Sequence, residues 1–321
     1  MTVLALPQDD VLTDIELPLP GRRVGKVRVS YDLPDDRRLF ITTDRLSAFD
    51  RIVAAVPRKG QVLNQLAWWW FQNTTNIVPN HAIAQPDPNV LIAVAASPLP
   101  VEVVVRGHIT GVTSTSLWKR YAEGERVLYG HRLPEGLRKN QQLATPLITP
   151  TTKAEGGAHD EALTCAQVTE LGLLEPTLWD RVQEIALAVF AHGCGAAEQA
   201  GLILADTKYE FGLAPDGSLL LIDEVHTPDS SRFWEASTYE TRLAAGEEPE
   251  SLDKEVVRRA LADTGYRGDG DAPVLPDSVW SETSSQYVRA YERLTASTFE
   301  AGATPVRNRI VKNLEHLWDA S

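Results

Sequence analysis

Cysteine is nearly absent: 321 residues contain only Cys165 and Cys194, with no CxxC pair and no Cys/His spacing of the kind that binds zinc. That excludes a disulfide framework or a zinc site as the organising feature, and a reducing cytoplasm suits the chain. No apolar run approaches the roughly 20 residues of a membrane span, since VLIAVAA (90–96) is strand-length and stops before Pro98. Basic charge is in deficit, 31 Lys and Arg against 44 Asp and Glu for a net −13, so nucleic acid and anionic membranes are poor partners. An anionic small molecule stays open, because the field in a pocket depends on the charges that line it. The segment before Arg22 has no basic residue and carries acids at Asp9 and Asp10, the reverse of a secretory signal. No internal repeat or low-complexity tract occurs.

What is present is the composition of a soluble globular protein, 43% hydrophobic and 23% charged. The length exceeds a usual single core, so two domains are expected, a strand-rich 1–107 and a larger 108–321. Residues 22–56 read as strands with a polar turn at 34–38. QVLNQLAWWWFQNT (61–74) puts Val62, Leu66, Trp69 and Trp70 at helical spacing, which suits packing on a sheet better than stacking on bases. Thr164 with Gln167 makes a capping box closed by Gly172, and a second helix follows Pro176. Segments 251–265 and 281–297 read as amphipathic surface helices.

The stretch LADTKYEFGLAPDGSLLLIDEVHTPDSSRFW (204–234) reads as two apolar strands around a turn, yet it is loaded with charge. Side chains alternate along a strand, so Asp206, Lys208 and Glu210 share one face, and Thr207, Tyr209 and Phe211 the other. With a four-residue turn at Ala214–Gly217, Leu213 is expected opposite Ser218, Lys208 opposite Asp223 and Glu210 opposite Leu221. Asp223 then joins the charged face, where it and Glu210 can share a cation while Lys208 balances them. A solvated sheet face laced with ion pairs is the plain alternative.

Other segments offer groups for anionic ligands. GRRVGKV (21–27) has the wrong spacing for a Walker A loop, and a glycine-containing hairpin over ATP phosphates is the nearer analogy. TTDRLSAFDR (42–51) holds Asp44, Arg45, Ser47 and Asp50 in what a capped turn also explains. Arg106 stands at a strand end beside the hydroxyl run Ser114–Ser116, and TPDSSR (227–232) repeats that pairing with Ser230, Ser231 and Arg232, which suits fork-shaped recognition of phosphate or carboxylate. Residues 130–163 read as a long irregular loop carrying Lys153, His159 and Asp160, and such loops are commonly functional.

Taken in order, GKVR, TDRLSAFD, VVVRG, HRLPEGL, TPTTKAE with HDE, ADTKYEFG and IDEVHTPDSSRFW resemble the blocks of the SAICAR synthetase (phosphoribosylaminoimidazole-succinocarboxamide synthase) family, over roughly residues 20–235. The resemblance implies a two-domain α+β fold related to ATP-grasp ligases and kinases, an N-terminal antiparallel sheet domain with ATP between it and a larger α+β domain. It implies a ligase of purine biosynthesis that joins carboxyaminoimidazole ribonucleotide to L-aspartate with ATP and Mg²⁺, through an acyl phosphate. By resemblance Gly25 and Lys26 meet ATP phosphates, while Glu210 and Asp223 hold Mg²⁺. Lys208 offsets charge on the phosphoryl group or substrate carboxylate, oriented by Asp206. Arg106, Ser116, Ser231 and Arg232 bind the ribonucleotide, Asp229 faces the imidazole, and Lys153, His159, Asp160 and Ser47 serve aspartate. Two departures stand out: the longer HITGVTSTS leaves open which of Ser114, Thr115 and Ser116 meets substrate, and Val29 stands where an acid is usual. A paralogue acting on a related azole carboxylate ribonucleotide, a small-molecule kinase and a non-catalytic nucleotide sensor remain alternatives.

Overall fold

The computed structural model describes residues 10–48, 51–153, 161–266 and 270–318. Strands β1 (Arg23–Val24), β2 (Arg28–Leu33), β3 (Arg37–Thr42), β4 (Arg45–Ala48) and β5 (Arg51–Ala55) precede helix α1 (Lys59–Asn73), then β6 (Ala82–Asp87) and β7 (Val90–Val94). The antiparallel order β1-β2-β3-β7-β6 makes the first sheet. Its period-two pattern sends Val29, Tyr31, Leu39, Ile41, Val90 and Ile92 into one core, which Leu12, Ile15 and Ile310 complete. Leu91 and Ala93 take the other face, against Leu66, Trp70 and Phe71 of α1. Trp70 is fully buried, so the aromatic run is core, as its helical spacing suggests.

The second sheet begins with β8 (Ser97–Pro98) and β9 (Val101–His108). After α2 (Leu117–Ala122), β10 (Val127–Leu128) and β11 (His131–Arg132) come β12 (Gln142–Thr152), α3 (Cys165–Glu170), α4 (Pro176–Gln199), β13 (Leu202–Leu213), β14 (Leu219–Ile222) and β15 (Ser231–Glu235). The order is β12-β9-β13-β14, with β15 and β8 also paired to β13. β9, read from sequence as the end of the first unit, thus belongs to this sheet. Val182, Ala186, Val189 and Phe190 of α4 cover one face, meeting Val103, Tyr209 and Phe211. The capping box of α3 forms as expected, Thr164 with Gln167.

One expectation fails here, because residues 142–152 are a long strand and not part of an irregular loop. Pro146 and Pro150 lie within this strand, and β12 is the outermost strand of its sheet, where a missing N–H disrupts no central ladder.

Helices α5 (Ala236–Ala245), α6 (Glu255–Asp263), α7 (Asp277–Thr295) and α8 (Val306–Leu314) complete the chain. Val257 and Leu261 of α6 and Trp280 of α7 pack on Leu46, Ala54 and Val56 of the β4–β5 hairpin. α8 returns to the first sheet through Val306, Ile310 and Leu314. No described helix is long and apolar enough to cross a membrane.

Candidate active site

A cleft of about 900 Å³ lies between the two sheets, with residues 253, 254 and 258 at its side. Its floor follows from strand alternation: while Val103 and Tyr209 face α4, Glu102, Val104 and Arg106 of β9 and Asp206, Lys208 and Glu210 of β13 line the opening. The β1–β2 turn at Gly25 and Lys26 forms part of the rim, closed by a bond from Gly25 N to Arg28 O at 2.9 Å. Arg45 Nη2 donates to Gly25 O at 2.9 Å and Arg28 O at 3.1 Å, so the TDR block braces that turn.

The charged hairpin forms with a register one residue from the expected one. Ala214 N donates to Ser218 O, and Gly217 at φ +84° closes a tighter turn, so Glu210 lies opposite Ile222 and Leu213 opposite Leu219. A one-residue slip reverses the faces of the partner strand, which by itself would turn Asp223 away from Glu210. Asp223 instead leaves the ladder at φ +70° and reaches the charged face, its carboxylate 3.8 Å from Lys208 Nζ and hydrogen-bonded by Arg28.

Gly25, Lys26, Ser47, Arg106, Ser116, Lys153, Asp206, Lys208, Glu210, Asp223, Asp229, Ser231 and Arg232 all line this one cleft, whereas Asp44 and Arg45 do not. His159 and Asp160 lie outside the described residues. Thr113, Thr115 and Ser116 line the cleft while Ser114 is exposed elsewhere. Thr115 O accepts from Arg106 Nη2 at 3.2 Å and Tyr129 OH at 2.6 Å, and Ser116 Oγ accepts from Thr113 N at 2.9 Å, so the longer loop is fastened to the strand-end arginine.

Two charge clusters divide the floor. In the first, Lys208 Nζ donates to Glu210 at 2.5 Å and Glu102 at 2.9 Å, and Lys153 bonds the other oxygen of Glu210. Burial opposes the charge of Lys208, but Glu210, Asp223 and Glu102 outweigh it and raise the pKa well above the ordinary lysine value. Burial likewise opposes ionised Glu210, and Lys208 and Lys153 overcome it, holding that carboxyl well below the usual range. In the second, Asp206 Oδ2 accepts from Arg232 Nη1 at 2.5 Å and Arg106 Nη1 at 3.4 Å. This corrects the expected pairing: Asp206 orients the two arginines, and Lys208 is oriented by Glu102 and Glu210. Thr149 Oγ1 accepts from Arg106 Nε at 2.8 Å, and Ser231 Oγ donates to Thr207 Oγ1 at 2.8 Å.

Asp229 is 2.8 Å from the fully buried Lys59 Nζ and accepts from Tyr287 OH at 2.5 Å. Burial disfavours its charge, Lys59 and Lys254 favour it, and the balance holds the carboxyl below its ordinary pKa. Each oxygen thus has one partner, which fixes the carboxylate in the cleft floor.

For magnesium, Glu210 and Asp223 are two oxygen donors in one cleft, each now held by a cation, Lys153 and Lys208 for one and Arg28 for the other. No group of three metal-ligating side chains occurs among the described residues. Such a pair fits an ion that takes only one or two carboxylates and completes its shell with phosphates and water.

The sequence reading passed over Arg28, Lys59, Glu102, Lys254, Arg258 and Tyr287. Arg28 lay within the quoted GKVR block; Lys254, Arg258 and Tyr287 sit on segments read as surface helices.

The sequence profile of SAICAR synthetase matches residues 22–273. Phosphoribosylaminoimidazole-succinocarboxamide synthase of Legionella pneumophila (strain Lens) is 48% identical over 309 residues, covering 95% of this chain and 98% of that one. Among solved structures, SAICAR synthase from Saccharomyces cerevisiae complexed with SAICAR superposes with a TM-score of 0.78 at 33% identity, over 90% of this chain and 100% of that one. A SAICAR synthetase in complex with ADP superposes at 0.67 and 26% identity, over 88% and 100%. These relatives are ligases of purine biosynthesis, and the match spans both sheets and the cleft between them. The chain belongs to the SAICAR synthetase family and is an enzyme of that ligase class.

Proposed function

We propose that the cleft joins the carboxylate of carboxyaminoimidazole ribonucleotide to the amine of L-aspartate, with ATP and Mg²⁺, through an acyl phosphate. The observation that supports it most is the pair of charge clusters on one floor: a lysine among three acids beside an acid that fixes two arginines. The full-length match to relatives named for this product favours it over a paralogue for another azole acid.

Arg106 and Arg232, both bonded to Asp206 Oδ2, bind the ribonucleotide phosphate, with the Ser116 and Ser231 hydroxyls beside them. Lys208 stands where the substrate carboxylate meets the transferred phosphoryl group and lowers the cost of bringing two anions together. Glu210 and Asp223 hold Mg²⁺, which when bound neutralises charge on the ATP phosphates. Gly25 and Lys26 cover those phosphates from the rim, so the first sheet, which ends at Val94, carries the nucleotide side of the cleft. Lys153 and Ser47 serve aspartate. Arg28 and Lys153 keep the acids paired until the nucleotide arrives. A reducing, cytoplasmic setting suits the two free cysteines.

The test omits each of Mg-ATP, the ribonucleotide and aspartate in turn while ADP is measured and the product weighed. A succinocarboxamide product that needs all three supports the reading. ADP release without aspartate to a stable phosphorylated product makes the protein a kinase and overturns it.

A further inference from the structure

An ammonium has no lone pair, so the amine of aspartate attacks only after losing a proton. Most titratable groups of the cleft are unsuited to take it. Lys208 and Glu210 are locked in their charged pairing, Lys153 is bonded to Glu210, and Asp206 and Asp229 are each held by two donors. The oxygens of Asp253 accept from Phe233 N at 3.1 Å, Ser251 Oγ at 2.6 Å and Glu255 N at 2.7 Å.

Lys254 differs. It lines the cleft at the residue before α6, and among the described residues no hydrogen bond or ion pair holds its Nζ. The charged groups facing it are Asp229 and Glu224 from the β14–β15 connection, Lys59 from α1 and Arg258 from α6. Both acids are committed elsewhere, Asp229 to Lys59 and Tyr287, Glu224 to Thr227 Oγ1 at 2.7 Å and Arg28 at 3.7 Å. Two cations and the positive end of the α6 dipole oppose a third positive charge at this point. Burial, resisted by Asp229 and reinforced by Arg258 and Lys59, brings the lysine down to about 8.

We propose that Lys254 takes the proton from the α-ammonium of the incoming aspartate and so releases the attacking amine. The role rests on the amide-ligase reading above. The N–H bond breaks with its electron pair left on nitrogen, and the lone pair of Lys254 Nζ takes the proton. The amine then forms the C–N bond at the acyl carbon, and the C–O bond to phosphate breaks with its pair on phosphate. The second amine proton leaves with phosphate, and Lys254 returns its own to solvent as product departs.

The test compares the parent with Lys254→Arg and Lys254→Met, using aspartate and, separately, hydroxylamine, which is already neutral at pH 7. With aspartate, parent kcat/KM rises through a midpoint near pH 8, and both variants lose about 10²–10³-fold in kcat/KM without that midpoint. Hydroxamate formation falls by only a small factor in both, which also shows that they fold and activate the carboxylate. Three results overturn the role: arginine restores aspartate turnover, the midpoint persists in the variants, or both nucleophiles fail together in both variants. A parent that forms no amide with aspartate and accumulates a stable phosphorylated ribonucleotide refutes the ligase reading itself, and the parent's own products separate that failure from failure of the lysine.

Discussion

Replacing Lys59 with Met keeps most of the side-chain volume and removes the charge that neutralises Asp229. The pair is 2.8 Å apart, with Lys59 fully buried and Asp229 nearly so. At an effective dielectric of about 20 the Coulomb attraction at that distance is roughly 6 kcal/mol, partly cancelled by the desolvation of both ions. Breaking a buried pair by removing one partner costs about 3–5 kcal/mol, because the other charge stays behind. Tyr287 OH still donates to Asp229, which places the expected loss near 3 kcal/mol. The sign of the pH dependence follows: the folded pKa of Asp229 lies below 3.8, so its contribution is present above that pH and lost as pH falls through the folded value. In Lys59→Met, burial dominates and reverses the direction, so acid stabilises the variant relative to the parent. Urea unfolding at pH 7 and pH 5 reads both effects, and adding Asp229→Asn should return most of the loss. A Lys59→Met protein within about 1 kcal/mol of the parent, or no recovery in the double variant, would refute the reasoning.

Glu210→Gln and Asp223→Asn should each lower kcat by about 10²–10³-fold with the circular dichroism spectrum unchanged; near-parental turnover in either would remove it from the metal role. Arg232→Lys keeps the charge but loses the fork set by Asp206, so the KM for the ribonucleotide should rise about tenfold while kcat changes little, checked by initial rates. Asp44 accepts from Leu12 N at 2.7 Å and from Gly60 N, the start of α1, at 2.8 Å, and burial raises its pKa to about 6 against 3.8. The folded state therefore binds that proton more tightly, so acidifying from pH 7 to 4 should stabilise the parent relative to Asp44→Asn by up to roughly 3 kcal/mol, measured by urea unfolding at both pH values.

Patterns within one element were legible in the sequence. The alternation of residues 206–211 gave the cleft-facing row, helical spacing buried Trp70, and Thr164 with Gln167 gave a cap. What was hidden depends on which elements meet. The β13–β14 register turned on whether the turn closes at Leu213 or Ala214, a choice the residues alone leave open, and the left-handed Asp223 offset the slip. Strand β12 holds Pro146 and Pro150, which suit an edge strand, and that it is the edge depends on which strands pair. Lys59 and Tyr287 look like ordinary helix residues, and their link to Asp229 exists only because α1 and α7 pack side by side against the loop after β14. Lys254 begins a helix with the amphipathic pattern of a surface helix, yet the cleft reaches its first turn.

The central claim, amide formation through an acyl phosphate, is tested most directly by the fate of oxygen. The ribonucleotide is prepared with ¹⁸O in both carboxylate positions and turned over with ATP and aspartate, and phosphate and product are analysed by mass spectrometry. One labelled oxygen is expected in the released phosphate and one in the amide carbonyl, because the carboxylate oxygen that accepts the phosphoryl group leaves with it. Unlabelled phosphate accompanying the succinocarboxamide product would contradict the acyl phosphate.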